Sequence, residues 1–226
     1  MGVTLTNLIP YPSMENAGWT GPYSTDHAYS GNYSISLNGT ASTPEVTANT
    51  LDAIPLISSH IYYARVYGYQ DAQTGGSVGF YWPIAEPSFQ EGIPIGSAGQ
   101  WNLYSGRNVR SSFSSGNYQL RLDYNNSYLS GSMYFDGAML IDLTAGFGSG
   151  NEPSKEWCDA NIPYFEGSKS FDFYIVTIPE IVSASFSPNP ASINQSTVLS
   201  VQVNDQAIVL APENFQSNEI YSGEAS

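Results

Sequence analysis

The stretch HIYYARVYGY, residues 60–69, holds side chains suited to binding chemistry. Read as a strand, it places Tyr62, Ala64 and Val66 on one face and Tyr63, Arg65, Tyr67 and Tyr69 on the other. The first set is core-like. The second is an aromatic–basic stripe, too polar for a core and too aromatic for an idle surface. Flat aromatic rings stack on the apolar C–H faces of sugars, and an arginine bonds their hydroxyls, so the stripe reads as a sugar platform. Trp82, closing the strand VGFYW at residues 78–82, either joins it or packs in the core. Two other readings stay open: a loop or neighbouring subunit covers the stripe, or it is a protein interface, where Tyr, Trp and Arg are also enriched.

A second candidate is Asp136, a lone carboxylate in the run SMYFDGAMLID at residues 132–142. Apolar residues alternate on both faces there, which reads as a central strand. A buried carboxylate needs hydrogen-bond donors or a cation. Catalytic constellations are weaker. His27 and His60 are isolated, and no Ser/His/Asp arrangement or metal-spaced histidine pair occurs. Glycoside hydrolysis needs two carboxylates across a cleft, and 20 acidic residues make no pair assignable. The expectation is a protein without catalytic activity.

The 226 residues include 17 tyrosines but only six Lys and Arg, and the formal net charge is −14. Phosphate neutralisation needs clustered cations, so a nucleic-acid partner is not expected. Cys158 is the single cysteine and rules out an internal disulfide. The first residues have no basic n-region followed by an apolar run, and no stretch approaches a membrane span. The expectation is synthesis in the cytoplasm, with no signal peptide and no membrane partner.

Short alternating runs punctuated by Gly, Asn and Pro predict an all-β sandwich. Among these runs, Tyr33, Ile35 and Leu37 share one face of a strand, and Tyr118, Leu120, Leu122 and Tyr124 face in, with Gln119, Arg121 and Asp123 facing out. Residues 83–96, with three prolines, read as a long irregular connection. After the Asp136 strand, a Gly-rich turn leads to Ser154, which caps a predicted short helix Lys155–Asn161. Residues 171–226 contain no Lys or Arg and alternate at 171–175, 182–186 and 199–203. The organisation expected is a β domain over 1–145, a connector with a short helix over 146–170, and a small β extension over 171–226.

Three segments in order, NLIPYPSMENAGW, AYSGNYSISL and MYFDGAML, resemble the framework of jelly-roll carbohydrate-binding modules. The resemblance implies a structural Ca²⁺ held by Glu15, Asp136 and oxygens around Gly31 and Asn32, consistent with calcium's preference for hard oxygen ligands. It also implies that Trp101, in WNLY, is a core residue. The segment 141–167, IDLTAGFGSGNEPSKEWCDANIPYFEG, resembles one found in structural proteins of tailed phages of Gram-positive bacteria, where it follows such a domain. The stretch 185–203 resembles the opening strands of bacterial and phage immunoglobulin-like domains, with too few residues for a whole sandwich. Together these resemblances imply a tail-fibre or baseplate type virion component. It would bind host cell-wall polysaccharide, contact other virion proteins through its C-terminal part and form a homo-oligomer. The alternative is a structural decoration or adaptor protein without glycan affinity.

Overall fold

In the computed structural model the described residues are 2–15, 18–43, 45–72, 76–81, 90–108, 114–125, 131–187 and 198–212. Side-chain description excludes residues 81, 90, 91, 173–187 and 198–212. The strands in chain order are β1 (Gly2–Thr6), β2 (Tyr23–Ser24), β3 (Ser34–Gly39), β4 (Glu45–Asn49), β5 (Ile54–Leu56), β6 (Tyr62–Gln70), β7 (Ser77–Tyr81), β8 (Gln90–Pro94), β9 (Trp101–Arg107), β10 (Gly116–Tyr118), β11 (Arg121–Asn125) and β12 (Gly131–Asp142). Two helices follow, α1 (Leu143–Phe147) and α2 (Lys155–Asn161), then β13 (Ser168–Ser187) and β14 (Val198–Pro212). The chain divides into two compact units, residues 4–170 and residues 1–3 with 171–226.

The larger unit is a jelly-roll β-sandwich. One sheet has the order β2-β3-β12-β6-β9 and the facing one β4-β11-β7-β8, with β5 and β10 paired alongside. The pairings within these sheets are antiparallel. The chain passes between the two sheets from β3 to β4, from β4 through β5 to β6, from β6 to β7, from β8 to β9, from β9 through β10 to β11, and from β11 to β12. The period-2 alternation explains the core: Ile35, Leu37, Ala64, Val66, Tyr104, Met133 and Phe135 from the first sheet meet Ala48, Val78, Phe80, Leu122 and Tyr124 from the second. Met14, Trp19 and Leu120 join the same cluster. Burying such side chains contributes roughly 1.5–3 kcal/mol each.

Strand β12 is the central element expected from its two apolar faces; it pairs with β3 and with β6. Its register against β6 shifts between Asp136 and Met139. Gly137 sits in that bulge with φ 62°, a conformation that costs other residues a Cβ clash. Three local expectations change. Tyr33 lies outside β3 and is exposed, because its alternation breaks one residue before the strand begins. The connection 83–96 includes β8, which pairs with β7 despite ending at Pro94, since an edge strand tolerates a missing donor. The Gly-rich turn begins with α1, whose cap is Asp142: Oδ1 accepts from the Ala145 amide at 2.9 Å. The helix α2 has the predicted bounds and the predicted cap, Ser154 Oγ accepting from the Trp157 amide.

Near the end of this unit, the Thr4 and Ser170 hydroxyls lie 3.0 Å apart and those of Thr6 and Ser168 2.8 Å. In the second unit β13 and β14 pair antiparallel from Phe173–Pro212 to Ser187–Val198, with two register shifts.

Candidate functional site

Residues directly opposite across paired strands share a face, so the register locates the aromatic stripe. On the outer face of the five-stranded sheet, Tyr134, Tyr69 and Trp101 form one row, and Asp136, Tyr67 and Leu103 the next. Below them lie Met139, Arg65 and Ser105, then Ile141, Tyr63 and Arg107. The stripe is thus real, but the chain itself covers its lower half.

Tyr63 and Arg65 are not available to a ligand: they are 0% and 3% exposed. The connector after β12 lies on them. The Tyr63 hydroxyl donates to Asp159 of α2 at 2.7 Å, and Arg65 Nη1 donates to the Ile162 carbonyl at 2.6 Å. Burial, with the Asp159 carboxylate beside it, holds the Tyr63 hydroxyl far above its ordinary pKa. Arg107 Nε donates to the Pro153 carbonyl, and the Phe165 amide points at the Met139 sulfur. Cys158 is buried on the same connector with its thiol pushed up to about 12, which leaves it unreactive.

The upper half is covered differently. Residues 26–33 form a strap across it. His27 stacks on Tyr69 at 4.0 Å between centroids, and its Nε2 lies 2.7 Å from Asp71 Oδ1. Tyr29 stacks on Tyr67 at 3.7 Å and 14° and meets Trp101 edge-on at 5.7 Å and 72°. Tyr67 and Tyr69 remain half-buried beneath the strap, while Tyr29 is 43% exposed. Trp101 is half-buried on this outer face and outside the core, because its register partner is Tyr69 and not an inward residue. Trp82 lies outside the described residues.

The strap is held by the two carboxylates singled out for calcium. Asp136, fully buried, accepts from the Tyr29 and Ser30 amides through Oδ2 at 2.8 and 2.9 Å, and from the Gly137 amide through Oδ1 at 2.6 Å. Glu15 Oε1 accepts from the Asn32 and Tyr33 amides at 2.8 and 2.9 Å. Gly31 sits between them with φ 68°, and a Cβ there would lie 2.3 Å from Glu15 Oε1. Burial pushes the Asp136 carboxyl up to about 6, against three backbone N–H groups that favour the charged form, with the Glu15 charge adding to the rise. Glu15, Gly31, Asn32 and Asp136 therefore come together. Among the described residues, no group of three or more His, Cys, Asp or Glu side chains gathers as a metal site. Any cation here would complete its shell with backbone oxygens.

The outer face of the four-stranded sheet is polar. Asn49, Arg121 and Tyr81 stand in one row, Thr47, Asp123 and Gly79 in the next, and Glu45, Asn125 and Ser77 in the third. Arg121 grips Asp123 with both ends of its fork, Nε to Oδ1 at 2.7 Å and Nη2 to Oδ2 at 3.0 Å. Asp123 is 5% exposed. Burial raises its carboxyl to about 6; the Arg121 charge opposes that rise and the Glu45 carboxylate adds to it. Alternation predicted that Arg121 and Asp123 point outward; what sequence alone did not reveal is that they pair, with Asp123 buried beneath a half-buried Arg121. His27, Tyr29 and Trp101 were missed as members of one cluster, and the Tyr29–Ser30–Gly31 turn beside Asp136 was the available signal.

No family model matches the chain, and no curated protein matches it. Among solved structures, the chain is similar to a Family 16 Carbohydrate Binding Module-2, at 18% identity and TM-score 0.44, over 60% of this chain and 100% of that one. It is similar to TmCBM61 in complex with beta-1,4-galactotriose, at 11% identity and TM-score 0.42, over 60% and 98%. It is also similar to the enzymatically active domain of Bacteriophage CBA120 tailspike protein 4, at 13% identity and TM-score 0.42, over 60% of this chain and 21% of that one.

Proposed function

We propose that the unit 4–170 is a non-catalytic carbohydrate-binding module, and that it serves host recognition on a phage virion. The observation that carries the glycan reading is the polar outer face of the four-stranded sheet. Sugar hydroxyls both donate and accept. The face offers a guanidinium and an amide as donors in the half-buried Arg121 and Asn49, and the exposed Glu45 carboxylate as acceptor, while the buried Asp123 orients Arg121 from behind. Charge-assisted bonds are about twice as strong as neutral ones. The binding role expected of Tyr63 and Arg65 passes to this face, because the connector occupies theirs.

The resemblance of residues 141–167 to phage structural proteins supports the virion assignment. In this reading the protein is made in the host cytoplasm and anchored by residues 171–226 to other virion proteins or to further copies of itself. β14 is an edge strand of its sheet, and an edge strand is a template for pairing with another chain. Calcium belongs to the same reading. Glu15 and Asp136, with carbonyl oxygens near Gly31 and Asn32, make an all-oxygen donor set, and the two carboxylates have no Lys or Arg bonded to them among the described residues. A bound Ca²⁺ would neutralise that charge and pin the strap.

The test is binding of purified Gram-positive cell-wall polysaccharide by the full chain and by Arg121→Ala. Retained polysaccharide with wild type, lost with a variant that has a lower melting temperature, from the unpaired Asp123, but still unfolds cooperatively, is the expected result. No binding to any wall preparation would leave the structural adaptor reading.

A further inference from the structure

We infer that the opposite sheet carries a second saccharide site, a corner formed by the exposed ring of Tyr29 and the ring of Trp101, selective for neutral sugars. This extends the glycan reading to a different surface and does not depend on the first face being correct. The argument begins with the strap. An exposed tyrosine on a loop ordinarily samples several rotamers and backbone states, and ordering it costs entropy on binding. Tyr29 has already lost that freedom. Its amide is bonded to buried Asp136, its ring lies on Tyr67 at 3.7 Å and 14°, and Glu15 anchors the residues that follow. Two carboxylates and a stacked ring thus hold in place a side chain that is still 43% exposed.

Trp101 supplies the second wall. Its plane is 72° from that of Tyr29 with centroids 5.7 Å apart, so the rings meet as a corner and not as a sealed stack. Tyr69, at 5.6 Å from Trp101, backs it. A pyranose in this corner would lay one C–H face on one ring and an edge on the other. The charge setting narrows the ligand class. Asp26 and Asp71 are exposed on this face, while the neighbouring cation, Arg65, is buried beneath the connector. Uronates and phosphorylated sugars would be repelled, and neutral sugars would not.

The experiment is calorimetric titration of the full chain with cellotriose, beta-1,4-galactotriose and the N-acetylglucosamine trimer as neutral probes, and with trigalacturonate as the acidic one. Wild type is expected to bind at least one neutral probe, and trigalacturonate at least about tenfold more weakly. Tyr29→Ala and Trp101→Ala should each weaken the neutral probe by about tenfold or more, while Tyr29→Phe, which keeps the stack, should bind as wild type. Trp101→Ala and Tyr29→Phe keep the test readable if Tyr29→Ala unfolds the strap. Arg121→Ala, shown to be folded by circular dichroism at the titration temperature, separates the two sites. Loss in the Tyr29 and Trp101 variants with Arg121→Ala unaffected supports the corner and removes the polar face. Loss in Arg121→Ala alone overturns the corner and leaves the polar face standing. Partial loss of heat and stoichiometry in both sets supports two sites. A wild type that binds none of the neutral probes, or binds trigalacturonate as well as them, overturns the inference.

Discussion

Stability in EDTA should fall as pH rises from 5 to 7, and Asp136→Asn should remove about half of that fall. Asp136 and Asp123 both have carboxyls raised from 3.8 to about 6, in each case chiefly by burial. A raised carboxyl means that the folded state binds the proton more tightly than the unfolded state. The stabilisation is therefore complete below the unfolded value and lost as pH climbs through the folded one. For one group with these two values, the loss between pH 5 and pH 7 comes to about 1.3 kcal/mol, and for both to about 2.6 kcal/mol. Asp159, whose carboxyl is lowered, works in the opposite direction but titrates below this window. The assay is urea unfolding at several pH values with wild type, Asp136→Asn and Asp123→Asn. Each variant should flatten the slope by about 1.3 kcal/mol, whatever its effect on absolute stability. Calcium supplies a second sign. If the ion sits on Asp136 it competes with the proton, so the stabilisation by Ca²⁺ should be larger at pH 7 than at pH 5. A stability that rises from pH 5 to 7 in EDTA, or an Asp136→Asn slope equal to that of wild type, would refute the reasoning.

Other consequences are as specific. Titrating Ca²⁺ into EDTA-stripped protein should raise the melting temperature by mass action, and Asp136→Ala should abolish the rise; an unchanged melting temperature in wild type removes the metal. Gly31→Ala should cost about 1–3 kcal/mol in chemical denaturation, since the positive φ is strained and the new Cβ would press on the Glu15 carboxylate. Phe135→Ala, emptying a fully buried position in the sandwich core, should cost about 3–5 kcal/mol. Tyr63→Phe should cost about 1–3 kcal/mol, leaving Asp159 short of a donor, while saccharide binding stays unchanged; a binding loss there would restore Tyr63 as a contact residue.

The sandwich was legible because period-2 alternation is a local signal. Ile35 and Leu37, Leu120 to Tyr124 and the doubly apolar β12 each announce their facing over a few residues. The helix α2 was legible for the same reason, a serine cap between prolines. The fate of the aromatic stripe was not local. Tyr63 and Arg65 lie nearly 100 positions before the Asp159 and Ile162 that cover them, and no property of the stripe itself distinguishes a covered face from an open one. Trp101 was misread for a related reason. Its facing depends on pairing with Tyr69, and a one-residue change of register reverses a side chain. Asp136 fell between these cases: its need for donors was readable, but not that they are the strap amides.

The strap also sets an order of events in folding. Its bonds to Asp136 join residues 107 and 106 positions apart, and those to Glu15 join residues 17 and 18 apart. On a ribosome emitting about 5–20 residues per second, the Glu15 clamp can close as soon as residue 33 is out. The Asp136 clamp must wait several seconds more, until β12 has emerged and inserted between β3 and β6. Closing so long a loop is slow for entropic reasons. The Tyr29 ring is therefore among the last features to lock, and a chain stopped before Asp136 would present the strap tethered at one end only. Protection of the Tyr29 and Ser30 amides from hydrogen exchange becomes a direct report that β12 has docked.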